Sequence, residues 1–250
     1  MDQLQHKNLR EIEGLNQRGG RTLSFIDLIR AGTVSAEMVA YCWTAIAHGA
    51  SFLTAARPGG AGKSTVLANL LALLPPGEEI VTYSDQSVVE PTARKCYLAH
   101  EIGAGHWYGY ILGGEVKAFL SLADDGHRLA GCIHADTLEE LAGIFSSPPL
   151  TVSAEQMRCL DLVLFIHVMP GQQRRVVAVH EAVPGGYRLA FSWDDDKSQF
   201  VRHGSSALME RLGSGEEEYQ RRLEAVRRFL REGEDDLEEL RRKALKEYQR

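Results

Sequence analysis

The run Pro58-Gly59-Gly60-Ala61-Gly62-Lys63-Ser64-Thr65 carries the most specific chemistry in the sequence. It lies between a short apolar run, Ser51 to Ala56, and an apolar segment of helical spacing that opens at Lys63. Glycines in that setting let the backbone curl until successive N–H groups face a common point. The positive end of the following helix adds to their attraction for an anion. The chemistry implied is polyphosphate binding. The amides of Gly59, Gly60, Ala61 and Gly62 would cradle phosphate oxygens, Lys63 would reach the β- and γ-phosphates, Ser64 would ligate Mg²⁺, and Thr65 would donate further. ATP with Mg²⁺ is therefore the expected ligand pair. Arg57 stands where the usual spacing asks for glycine, so it either restricts the loop's first turn or brings a positive charge to the nucleotide.

The segments around this loop must position it. Leu23 to Arg30 has helical spacing, and Ser35 reads as the N-cap of a second helix running to about His48. The loop's own helix spans Lys63 to Leu74 and stops at Pro75-Pro76-Gly77. Beyond it, strands are predicted over Glu79–Asp85, His106–Leu112, Arg128–His134 and Asp161–Met169, and helices over Pro91–Ile102, Glu115–Ala123 and Thr137–Ile144. This alternation predicts an α/β fold of the P-loop kind, a mostly parallel sheet with helices on both faces. Arg174–Val183 and Tyr187–Trp193, joined by Pro184-Gly185-Gly186, predict an antiparallel hairpin at the sheet edge. Residues 216–250 are dense in Glu and Arg with sparse apolar positions, which predicts one or two amphipathic helices packed on the domain or serving as an interaction arm. The organisation expected is a polar lead-in over 1–22, a nucleotide-binding domain over 23–200 and a charged helical segment over 201–250.

Composition narrows the classes of function. The 250 residues are 44% hydrophobic and 25% charged with a formal net charge of -6, which gives no general attraction to nucleic acid or acidic lipid. Cys42, Cys96, Cys132 and Cys159 form no close pair, so they read as free thiols of a reducing compartment rather than a zinc site. Nothing near Met1 resembles a signal peptide, and no apolar run is long enough to span a bilayer. The expectation is a cytoplasmic protein, recruited to the inner face of the membrane if it works there. The cluster Trp107, Tyr108 and Tyr110 reads as core packing rather than a stacking platform for bases.

Several segments together resemble the ATPases of type II and type IV secretion and of type IV pili. They are Ser24 to Met38, Leu67 to Asp85, the run Gly131-Cys132-Ile133-His134-Ala135-Asp136-Thr137, which is similar to that family's histidine box, and Asp161 to Val183. The resemblance spans roughly residues 24–193. It implies a hexameric ring that couples ATP binding and hydrolysis to membrane-associated secretion or pilus machinery. It also implies that His134 lies near the γ-phosphate, and that Asp85 answers an acidic position able to hold the Mg²⁺ water shell, although a strand-end carboxylate capping a turn reads equally well. The family's catalytic glutamate is harder to match. An ungapped comparison puts Tyr110 at that position and Leu112 where an arginine belongs; a gapped one offers Glu115, which otherwise reads as a helix-capping acid. Tyrosine, with a pKa near ~10, cannot act as the carboxylate that orients water. Two readings therefore stand from the sequence: a motor-type ATPase using Glu115, His134 and Asp85, or a nucleotide-binding module without turnover that stabilises a complex.

Overall fold

The computed structural model describes residues 2–16, 20–84, 94–103, 105, 107–213 and 215–249. Among these, a nine-stranded sheet forms the middle layer. Its strands are β1 (Phe52–Ala55), β2 (Glu79–Thr82), β3 (Lys95–Ile102), β4 (Tyr110–Ile111), β5 (Arg128–Ile133), β6 (Leu162–Val168), β7 (Arg174–Val183), β8 (Gly186–Asp194) and β9 (Gln199–Arg202). The lateral order is β2-β3-β5-β1-β6-β7-β8-β9, with β4 paired to β3. Pairings from β2 through β6 are parallel, and those from β6 to β9 are antiparallel. The predicted hairpin forms as β7 and β8, but β9 continues it and takes the edge.

Successive residues of a central strand face opposite sides of the sheet, and both sides here are covered. Leu162, Leu164 and Ile166 of β6 join the core beneath α1 (Gln3–Gly14), α2 (Phe25–Arg30), α3 (Ala36–Ala47) and α4 (Lys63–Leu71). Val163 and Phe165 join the opposite core, under α5 (Gly114–Ser121), α6 (Leu138–Ser146) and α7 (Ala154–Met157). Caps set the helix starts. Ser24 and Asp27 form a reciprocal capping box on α2, and the Ser35 hydroxyl accepts the Met38 N–H at 3.1 Å at the start of α3.

Two expectations from the sequence are corrected. Residues 95–102, expected as the end of a helix, form β3. This strand lies between β2 and β5 and is buried from Cys96 onward, so it lacks the polar alternation by which strands are recognised. The strand expected over 106–112 is reduced, among the described residues, to Tyr110–Ile111, which follows β3 in the lane that β2 leaves beyond Leu98. Trp107 and Tyr108 therefore project from the sheet end, 68% and 69% exposed, and are not core residues.

The charged C-terminus docks on its own chain. After α8 (Ala207–Arg211), the long α9 (Glu216–Glu232) lies on α3, where Phe229 meets Trp43, and α10 (Leu237–Glu247) follows. Arg241 of α10 is fully buried and donates to Gln5 Oε1 of α1 at 2.7 Å and to Ala72 O and Leu74 O, just past α4, at 2.9 and 3.1 Å. α1, α4 and α10 thus share one polar knot. Among the described residues no helix is long and apolar enough to cross a membrane.

Candidate active site

The site forms at the carboxyl ends of the parallel strands, the edge where open α/β sheets place their ligands. β1 is fully buried between β5 and β6. The chain leaves it at Ala56, whose N–H donates to Ile133 O at 3.2 Å, and turns through residues 57–62 into α4. Gly60 (φ 81°) and Gly62 (φ 100°) take the left-handed conformations that this turn needs. Gly62 is also the N-cap of α4 and makes no side-chain cap. The first amides of a helix have no intrahelical partner, so those of Lys63, Ser64 and Thr65 are left for a ligand. Gly59, Gly60, Gly62, Lys63, Ser64 and Thr65 all line one cavity of about 730 Å³. Small-molecule sites commonly enclose ~300–1,000 Å³. Ala61 is buried behind the loop, its N–H 3.4 Å from Pro58 O.

Three side chains from separate elements meet in this cavity. Lys63 is buried; its Nζ donates to Ala56 O at 3.3 Å and lies 3.7 Å from Glu101 Oε2. His134, just past β5, has Nε2 at 3.6 Å from the same carboxylate oxygen and both ring nitrogens 3.4 Å from Lys63 Nζ. Its Nδ1 is 2.6 Å from Arg57 O. A carbonyl only accepts, so Nδ1 carries the proton, and in the neutral ring Nε2 presents its lone pair to the cavity. Glu101, near the end of β3, is 6% exposed, and its Oε1 is buried with no hydrogen-bond partner among the described residues. Burial raises the pKa of this carboxyl above the ordinary glutamate value, against the lowering pull of Lys63 and His134. An unpaired carboxylate oxygen is costly to bury and is an acceptor to which a bound water would donate.

Neighbouring groups frame the carboxylate. Tyr110 pairs in register with Glu101 and lines the cavity; burial, then the negative charge of Glu101, raises its hydroxyl pKa and keeps it neutral. His100 also lines the cavity, with Nε2 3.2 Å from the Thr82 hydroxyl, which donates to Glu11 of α1 at 2.6 Å. Burial lowers the His100 pKa, so this ring is neutral near pH 7.

The residues singled out from the sequence divide as follows. Gly59, Gly60, Gly62, Lys63, Ser64, Thr65 and His134 come together around one cavity; Ala61 does not line it, because its N–H turns to Pro58 O, and Glu115 does not join them. Its Oε2 accepts the Leu112 N–H at 3.2 Å at the start of α5, the capping role, and it is not among the cavity-lining residues. Asp85 lies outside the described residues. Arg57 does not enter the loop's concavity. Its N–H donates to Asp136 Oδ1 at 2.7 Å and its guanidinium to Glu140 Oε1 at 2.6 Å, holding the loop's first turn against α6. For Mg²⁺, the described residues contain no cluster of three acidic, histidine or cysteine side chains. The donor set present, one serine hydroxyl beside the free amides that open α4, fits a cation that takes most of its ligands from a bound anion and water. Two groups escaped the sequence reading, Glu101 and Arg174. The apolar run Tyr97-Leu98-Ala99 leading into His100-Glu101 fits a helix or a strand equally, and only its place between β2 and β5 sets the carboxylate beside the loop.

No family model matches the chain. It is similar to two uncharacterized proteins of Methanocaldococcus jannaschii. One is 25% identical over 227 residues, covering 76% of this chain and 41% of that protein. The other is 24% identical over 242 residues, covering 82% of this chain and 89% of that protein. The chain thus spans about two fifths of the length of the first relative. Among solved structures, the VirB11 ATPase from the Brucella suis type IV secretion system, crystallised in complex with sulphate, is similar over 69% of this chain and 55% of that one, at 16% identity and a TM-score of 0.39. At that score the likeness carries no weight for the site.

Proposed function

We propose that this protein binds a nucleoside triphosphate, ATP, at the loop Gly59–Thr65 and hydrolyses it, with Glu101 as the carboxylate that orients the attacking water. The observation that carries the reading is the meeting of Lys63, Glu101 and His134 in one cavity at the start of α4, with Glu101 Oε1 buried and, among the described residues, unpaired. Lys63, held meanwhile by Ala56 O, turns to the β- and γ-phosphate oxygens. The Ser64 hydroxyl would hold Mg²⁺, which would supply further neutralisation of phosphate charge. Glu101 accepts a hydrogen bond from water and aligns its oxygen on the γ-phosphorus. The new P–O bond forms as the bond to the bridging oxygen breaks, ADP leaves with that electron pair, and the water's proton passes to Glu101 or to the departing phosphate. His134, anchored through Nδ1 to the loop carbonyl of Arg57, registers any shift of the loop's first turn.

The wider reading is a motor ATPase of the secretion and type IV pilus kind, working as a hexameric ring recruited to the cytoplasmic face of the membrane. It is supported by the run Gly131–Thr137, which sets His134 beside the phosphate loop. The test starts with nucleotide binding. ATP with Mg²⁺ at about a hundredfold excess over Kd stabilises by about 2.7 kcal/mol, roughly 5–10 °C in melting temperature for a domain of this size. Lys63→Ala abolishes that shift. An equal shift in Lys63→Ala rules out the loop as the site, and intact binding without phosphate release assigns the protein to the non-hydrolysing class instead.

A further inference from the structure

The connection between β6 and β7 approaches the phosphate loop from the antiparallel side of the sheet. It is a tight turn, Pro170–Gln172, in which Gly171 has φ 75° and Gln172 has φ 64°. A positive φ at a glutamine is a strained conformation that surrounding contacts must hold. The Met169 N–H does so by donating to Gln173 O at 2.7 Å, and the turn presents Gln172, Gln173 and Arg174 to the cavity.

Arg174 is the unusual member. Its Nε donates to Gly60 O at 3.2 Å and its Nη1 to Gln172 O at 3.2 Å. Its Cδ lies 3.7 Å from where a Cβ on Gly62 would stand, so the side chain runs along the loop that would grip the phosphates. Other nearby arginines are committed elsewhere. Arg57 is held by Asp136 and Glu140, Arg21 by Asp27, and Arg175 lies over the Trp193 ring at 3.7 Å. Among the described residues Arg174 has no carboxylate in ion-pairing range; its partners are two backbone carbonyls. A guanidinium at the rim of a polyphosphate seat, balanced only by neutral acceptors, gains most by exchanging them for phosphate oxygens.

We propose that Arg174 is a second cationic ligand of the polyphosphate, supplied by the same chain and aimed by the strained β6–β7 turn. This rests on the nucleotide reading above and adds to it the group that answers Lys63 from the other end of the loop. The occupied state has Arg174 leaving Gly60 O for the phosphate chain, which ties the antiparallel strands to nucleotide occupancy.

The experiment uses the full chain and titrates ATP and, as a base-free probe, inorganic tripolyphosphate, both with Mg²⁺, by calorimetry. Arg174→Gln keeps a donor for Gly60 O and removes the charge. It is expected to weaken both ligands about tenfold or more, with a shallower dependence on salt, while the melting temperature without ligand stays put. Arg174→Lys recovers part of the loss. Unchanged affinity in Arg174→Gln, with the parent chain still binding ATP, overturns the role of Arg174 and leaves the nucleotide reading standing. A lower melting temperature without ligand, with unchanged affinity once folded, assigns Arg174 to tethering the loop and also overturns the proposal. No ATP binding by the parent chain removes both.

Discussion

Replacing Glu101 with glutamine tests the proposed chemistry most directly. The substitution preserves volume and leaves an amide oxygen facing Lys63, so the 3.7 Å approach to the ammonium survives without its charge. What disappears is the acceptor able to draw a proton from water. A positioned general base is worth about 10²- to 10⁴-fold in rate, or about 3–5 kcal/mol of barrier. Steady-state phosphate release should therefore fall by that factor while ATP affinity holds or improves, because a negative charge beside the phosphates has gone. Stability should move the other way. Burial raises the Glu101 pKa in the folded protein. The contribution of this group is then fully present below the unfolded-chain value of about 4.3 and is lost as pH rises through the folded value. At pH 7–8 the ionised, half-satisfied carboxylate is a cost, so Glu101→Gln should melt higher than the parent without ligand, and the difference should shrink as pH falls toward 4. The same raised pKa displaces the acidic limb of the rate profile upward from the ordinary glutamate range. Phosphate release from Glu101→Gln equal to that of the parent, with ATP still bound, refutes the assignment.

The remaining expectations follow from the same contacts. Glu115→Gln should leave hydrolysis unchanged in a phosphate-release assay, because Glu115 caps α5 outside the cavity; a loss as large as that of Glu101→Gln would return it to the chemistry. Arg241→Ala should destabilise the chain by about 3 kcal/mol, or ~6–12 °C in melting temperature, since it opens a void and orphans Gln5 Oε1, Ala72 O and Leu74 O; urea or thermal unfolding checks this.

How far the site was legible in sequence depended on whether its signal was local. The glycine-rich turn over residues 57–62 was legible because its constraints lie within a few residues. Glycines take the positive-φ positions at 60 and 62, a buried strand leads in, and a helix start leads out. His134 was placed beside it through the surrounding run of residues. Glu101 was not, for the reason that hid β3. A strand covered on both faces loses its alternation, and Ala99, His100 and Glu101 suit a helix as well as a strand in isolation. Only pairing with β2 and β5 decides between them. Arg174 is more than a hundred residues from the loop it touches, and no periodicity could bring the two together.

The sequence by itself determined that a glycine-rich turn sits between a buried strand and a helix in an alternating α/β chain, because backbone conformation and hydrophobic burial at that place are set by adjacent residues. Tertiary structure decided which carboxylate faces Lys63, that Arg57 turns outward to Asp136 and Glu140, and that the acidic-basic C-terminus folds back onto α3 and α1. Those outcomes depend on which strands become neighbours and which charges find partners across the sheet. Such choices are settled by packing the whole chain at once, and no short window of residues contains them.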